Sequence, residues 1–244
     1  MHFPAPLMEA RLIRRYKRFL ADIEWPDGAT DTVHCPNPGA MLGLDAPGSR
    51  VFVSRSANLK RKYPLTLEIV EADGTLVGIN TILPNALAQE AITNGTIAEL
   101  AGYDTLRREV RYGRNSRIDF LLQHPSRPIC YVEVKNVHLR RQPGLMEFPD
   151  CVTARGAKHL VELGDQVEAG HRALMVFIIQ RADGDRFDLA RDIDPKYAAA
   201  FGRARQRGVE VFAYSCTVSA SEILVTMPVP IDKRVLQPGS ASIK

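Results

Sequence analysis

Cysteine is scarce and scattered: Cys35, Cys130, Cys151 and Cys216 are the four in 244 residues, and no two form a CxxC pair. That spacing excludes a disulfide framework and a thiolate zinc site, and points to a reducing compartment, the cytoplasm. Long apolar runs are also missing. No stretch approaches the roughly 18 residues that a membrane span needs, so no membrane partner is expected. Met1-His2-Phe3-Pro4 lacks the basic and apolar regions of a secretory leader, and none is expected. No repeat period is visible. With 45% hydrophobic residues, the chain can still bury a substantial core, enough for one large or two small domains.

The net charge of +4 is modest, but its distribution is not even. Arg11, Arg14, Arg15, Lys17 and Arg18 form one cluster, and Arg55, Lys60, Arg61 and Lys62 a second. Arg107, Arg108, Arg111, Arg114 and Arg117 form a third. Dense local positive charge attracts polyphosphate partners even when the total is near neutral.

The first part of the chain reads as a small all-β module. Phe19, Ala21, Ile23 and Trp25 alternate with Arg18, Leu20, Asp22 and Glu24, which gives a strand with one apolar face. Pro26-Asp27-Gly28 is a turn signal, and Ala72-Asp73-Gly74 joins two later strands as a hairpin. Five short strands in about 80 residues fit a Greek-key barrel of the OB type, and an SH3-like barrel fits almost as well. The loop His34-Cys35-Pro36-Asn37-Pro38-Gly39 carries His34 and Asn37, two side chains able to bond a phosphate or a base edge.

The stretch from Ser116 to Lys135 concentrates the chemistry. Ser116–Leu122 and Ile129–Lys135 read as apolar strands that carry Asp119, Glu133 and Lys135 where buried strands carry no charge. Residues two apart share a face, so Glu133 and Lys135 project together. Paired antiparallel, the two strands bring Asp119 to the same edge. Two carboxylates suit Mg²⁺ or Mn²⁺, with the Val134 carbonyl as a further oxygen. Lys135 can orient a water or offset charge on a phosphoryl group.

Around this pair the periodicity predicts a helix capped by Asn85, with Leu87, Ala88, Ala91 and Ile92 inward and Glu90 facing a cleft or water. A connector follows at Pro143–Pro149, then a helix capped by Thr153 with Gly156, Leu160, Leu163 and Val167 inside. That assignment leaves Arg155, Lys158, His159 and Glu162 on other faces. Ala173–Ile179 reads as a buried central strand, Pro195–Arg207 as a helix, Val209–Ala213 as a strand and Ile223–Pro230 as an edge strand. The order describes an α/β unit with a mixed sheet, α+β overall. The expected division is 1–82, 83–235, and a disordered tail over 236–244.

Asp119 followed by Glu133-Val134-Lys135 resembles the PD-(D/E)xK signature of the restriction-endonuclease-like superfamily, without its proline. A longer set of stretches resembles the sugar fermentation stimulation protein A (SfsA) family. They include His34-Cys35-Pro36-Asn37-Pro38-Gly39, Leu83-Pro84-Asn85, Phe148-Pro149-Asp150 and Thr153–Leu160. The resemblance implies an N-terminal OB-like barrel followed by a restriction-endonuclease-like α/β/α domain. It implies DNA binding without marked sequence preference, nuclease action on DNA or RNA, and a proposed role in maltose metabolism. It places Glu90 as a further metal-site acid and Arg155 and Lys158 near the scissile phosphate.

The leading expectation is a Mg²⁺-dependent nuclease with Asp119, Glu133 and Lys135 as catalytic residues. Arg15, Lys17, Arg18, His34, Asn37, Lys60, Arg61, Lys62, Arg117, Arg155 and Lys158 would hold the nucleic acid. The alternative is a non-catalytic DNA-binding regulator of sugar metabolism, and a small-molecule phosphodiesterase leaves the basic clusters unused. A homodimer is open.

Overall fold

Residues 1–58 and 60–232 are described by a computed structural model. The proposed tail over 236–244, and the end of the second proposed segment, lie outside the described residues.

The N-terminal sheet contains β1 (Met8–Tyr16), β2 (Leu20–Glu24), β3 (Thr30–His34), β4 (Arg50–Arg55), β5 (Leu65–Ala72) and β6 (Thr75–Gly78), in the order β3-β2-β1-β4-β5-β6. A parallel contact between His34 of β3 and Thr66 of β5 closes the first five strands into an OB-like barrel. Ala10, Leu12, Ala21, Ile23, Val33, Val51, Val53, Leu65 and Leu67 fill it. Asp73 and Gly74 adopt φ values of 54° and 74° at the β5–β6 turn, the left-handed pair that an Asp-Gly hairpin needs. The sequence pattern did not reveal β1, because its arginines hide its alternation; it lies at the centre of the sheet.

The larger unit is a six-stranded mixed sheet between helices. Its strands are β7 (Thr105–Tyr112), β8 (Ser116–His124), β9 (Arg127–Val137), β12 (Arg172–Ile179), β14 (Glu210–Val218) and β15 (Ile223–Pro228). Their order is β15-β14-β12-β9-β8-β7, parallel at β9–β12–β14 and antiparallel elsewhere. Helix α1 (Pro84–Thr93) covers one face, and α2 (Ala154–Glu168) and α3 (Pro195–Gln206) the other. In β12, Leu174, Val176 and Ile178 pack towards α1, while Ala173, Met175, Phe177 and Ile179 pack towards α2 and α3. Burial on both faces explains the continuous apolar run. The expected connector over Pro143–Pro149 instead contains β11 (Gly144–Phe148), which pairs with β10 (Leu139–Gln142) and β13 (Gly184–Leu189). Pro143 and Gly144 read as loop, yet Gly144 supplies the φ of 74° at the β10–β11 turn.

A polar seam joins barrel to sheet. Asp150 Oδ2 accepts from the Met41 N–H at 3.1 Å and faces His138 Nε2 at 3.3 Å. His138 Nδ1 contacts Asn136 Nδ2, whose Oδ1 accepts from Gln180 Nε2. Burial pushes the Asp150 carboxyl up, but His138 and the Met41 amide outweigh it and hold the group at about 2, against an ordinary 3.8. A depressed folded value gives stability that is present above pH 3.8 and is lost as pH falls towards 2, worth about 2 kcal/mol. Asp150→Asn is therefore expected to be less stable than the parent at pH 6. Urea midpoints of the two should converge as the pH approaches 2.

Candidate metal and nucleic-acid site

The candidate site lies where two paired strands part. β8 and β9 pair from His124↔Arg127, through a register shift, along Leu122↔Cys130 and Leu121↔Tyr131 to Phe120↔Val132, and the pairing stops short of Asp119. At the same level the side-chain phase of β7 and β8 reverses. Leu106, Phe120 and Leu122 pack towards α1, whereas Val110, Tyr112, Ile118 and Leu121 pack towards α2. Glu109, beside this reversal, has a φ of 51°. Asp119 sits at the gap. Its Oδ2 accepts from the Val134 N–H at 2.8 Å, replacing the strand partner that β8 no longer supplies, and its Oδ1 accepts from Asn85 Nδ2 at 2.8 Å.

Glu133, 2% exposed, projects towards α2. Its Oε1 accepts from Lys135 Nζ at 2.6 Å and meets His159 Nδ1 of α2. Arg155 Nε donates to His159 Nε2 at 3.3 Å, which assigns the ring proton to Nδ1, facing Glu133. Glu133 Oε2 is buried with no hydrogen-bond partner among the described residues. Tyr112, also buried, lies within electrostatic reach of Glu133, Glu162 and Asp119, and its hydroxyl has no partner among the described residues.

The two carboxyls differ in electrostatics. Burial and then the Glu133 charge raise Asp119 above its usual range, against the Val134 amide, Asn85 and Lys135. Burial pushes Glu133 up as well, but Lys135 and His159 hold it below the usual value. A buried, unpartnered carboxylate oxygen beside a second crowded carboxylate suits a hard cation. No group of three or more His, Cys, Asp or Glu able to hold a metal occurs among the described residues. Two carboxylates do not make a closed protein cage; an ion held by them would keep several waters.

Other expected site residues are placed less uniformly. Glu90 does not join the pair: its carboxylate meets the Met1 ammonium at 2.8 Å, on a part of α1 turned away from Asn85. Asn85 is not the helix cap, which falls at Leu83 without a side-chain bond; it serves Asp119 instead. Lys158 donates to the Arg114 carbonyl at 2.7 Å and lies 3.6 Å from Glu162, so it anchors the β7–β8 turn. Asn37, expected on a binding surface, is 1% exposed, and its amide is used by Ile79 O and the Gly39 N–H. Arg15 likewise clamps the carbonyls of Asn37 and Gly39. Both hold the 36–41 loop in shape. Arg117 pairs across the hairpin with Arg111, and with Asn115 they line a cleft of about 490 Å³. Lys17, Arg18, Lys60 and Lys62 make no ion pair among the described residues, and Arg61 rests on His34 at 3.3 Å.

His159 and Asn85 were not among the expected site residues. The signal for His159 was a polar stripe, Arg155, His159 and Glu162, spaced four and three along α2 beside its apolar stripe.

Comparison with known proteins bears on the whole chain. Residues 82–222 match the sugar fermentation stimulation protein RE domain, and residues 13–79 match the SfsA N-terminal OB domain. A sugar fermentation stimulation protein homolog from Rhodospirillum centenum is 61% identical over 91% of this chain and 96% of its own length. One from Chelativorans sp. is 60% identical over 95% of this chain and 100% of its own length. Among solved structures, the Ca²⁺ complex of Pyrococcus furiosus SfsA is similar, with a TM-score of 0.86 and 27% identity, covering 95% of this chain and 98% of that one. The two family models together span most of the chain, and relatives about 60% identical match nearly all of it: the chain belongs to the sugar fermentation stimulation protein (SfsA) family.

Proposed function

We propose that this protein is a divalent-cation-dependent nuclease that holds DNA on its barrel loops and cleaves it at Asp119, Glu133 and Lys135. The observation that carries this reading is the pair of buried carboxylates at the parting of β8 and β9, with Glu133 Oε2 left without a partner beside the Lys135 ammonium. The Ca²⁺ bound to the Pyrococcus furiosus relative supports a cation in this family.

Asp119, Glu133 Oε2 and the Val134 carbonyl would hold Mg²⁺ or Mn²⁺. When bound, the ion supplies Lewis-acid polarisation of a phosphoryl oxygen. His159 and Lys135 hold the Glu133 carboxylate through Oε1, which leaves Oε2 free to ligate a cation. The Lys135 ammonium offsets charge that develops on the phosphorus oxygens. Arg155, in the first turn of α2, faces an incoming phosphate while orienting His159.

The test incubates purified protein with labelled single- and double-stranded DNA and RNA in Mg²⁺, Mn²⁺ or EDTA. Cleavage that needs the cation and is lost in Asp119→Asn and Glu133→Gln is the expected result. Cleavage that survives in both variants removes the site from the chemistry. Binding without cleavage on every substrate would favour a regulator that only retains the fold.

A further inference from the structure

Phe19 is an aromatic ring 51% exposed at the tip of the β1–β2 hairpin. A single exposed apolar residue is ordinary; its surroundings are less so. Lys17 and Arg18 precede it in consecutive left-handed conformations, with φ of 50° and 63°, and neither has an ion-pair partner among the described residues. The Phe19 carbonyl accepts from the Cys35 N–H at 2.7 Å, and the next residue, Leu20, pairs with His34. Arg61 of the β4–β5 loop reaches the His34 ring and Thr66, each at 3.3 Å. Lys60 and Lys62 flank it without an ion pair among the described residues, Lys62 Nζ lying 5.5 Å from the centre of the Tyr63 ring. The hairpin tip and the β4–β5 loop thus lie side by side at the barrel closure, joining an open ring to uncompensated positive charge.

The surface continues to the candidate metal site. Arg18 is close enough to Cys151 for its charge to act on that thiol. Val152 follows, 71% exposed, and Thr153 then caps α2, whose Arg155 and His159 lead to Glu133. A backbone-tracking line of cations with an aromatic face is what an unpaired strand needs. A duplex keeps its bases stacked inside and gives a ring nothing to stack on; cations alone would serve it.

We infer that Phe19, with Lys17, Arg18 and the Lys60–Lys62 loop, forms a stacking platform for an unpaired nucleic-acid strand and delivers it along Val152 and Arg155 to Asp119 and Glu133. The delivery rests on the nuclease reading; the binding does not.

The test measures affinity in EDTA, where cleavage plays no part, by anisotropy of labelled dT15 and of a blunt 15-base-pair duplex at matched salt. The expected result is tighter binding of dT15. Phe19→Ala should weaken dT15 binding on the order of tenfold and duplex binding less than twofold, with Phe19→Trp restoring it. Thermal melts should match the parent, because the ring is exposed. Lys60→Ala with Lys62→Ala should weaken both ligands and reduce the salt dependence. Equal or tighter binding of the duplex, or Phe19→Ala affecting both ligands alike or neither, would overturn the platform. That result beside intact metal-dependent cleavage would leave the nuclease reading standing. A single-strand preference lost in Phe19→Ala, without any cleavage, would support the platform and sink the hydrolysis.

Discussion

Glu133→Gln and Asp119→Asn are each expected to lower phosphodiester cleavage by roughly 10²–10³-fold or more, the scale of removing a charge-stabilising group from a reacting phosphate. Glutamine matches the shape of Glu133 but leaves Lys135 and His159 facing a neutral amide and weakens the oxygen that has no other partner. Asparagine at 119 can still accept from the Val134 N–H and so hold the gap between β8 and β9. Both variants should therefore fold, which circular dichroism and a thermal melt verify beside the cleavage assay. Loss of cleavage together with loss of the folded transition would make these residues structural. Nucleic-acid binding in EDTA should survive in both, because the proposed binding surface lies on the barrel loops.

Arg181→Met is expected to cause a large loss of stability, for a different reason. Arg181 is 1% exposed and makes paired bonds to Asp183 at 2.6 and 2.7 Å, with a further bond to the His138 carbonyl at 3.0 Å. Its remaining reach is to Asp73 Oδ2 of the β5–β6 hairpin at 3.3 Å, so one guanidinium ties the barrel to the end of β12. Methionine fills most of the volume but leaves the buried His138 carbonyl without its donor and Asp183 with Arg140 as its remaining cation. Removing one partner of a buried ion pair costs about 3–5 kcal/mol. For a chain of this size that lowers the melting temperature by about 10 °C. A shift of less than about 2 °C would show that Arg140, which also pairs with Asp73 and Asp183, carries the junction alone.

The sequence made the acidic centre legible because charge in a period-two apolar strand is conspicuous. Glu133 and Lys135 do share a face, and Asp119 does come to the level of Val134. The continuous Ala173–Ile179 run and the Thr153 cap were equally plain, since each depends on local chemistry. What stayed hidden depends on tertiary placement. β1 and β7 carry so many arginines that they read as basic clusters rather than strands. His159 and Glu162 were placed off the apolar inner face of α2, yet they are 3% and 4% exposed, because β9 and the β7–β8 turn bring Glu133 and Arg114 to meet them. Asn37 looked like a ligand-binding amide, but its oxygen is taken by the Gly39 N–H of its own loop and its amide nitrogen by the Ile79 carbonyl beyond β6. Glu90 shows the limit of periodicity: the helix was placed well, but the α1 residue that reaches Asp119 is Asn85.

Asp119 and Glu133 are proposed to hold a catalytic cation together. Mn²⁺ binding, followed by loss of the free-ion paramagnetic resonance signal, tests it without relying on turnover. The parent should bind Mn²⁺, Mg²⁺ should compete for the same site, and Asp119→Asn and Glu133→Gln should each weaken binding at least about tenfold. Parent-like Mn²⁺ binding in both variants would contradict the account.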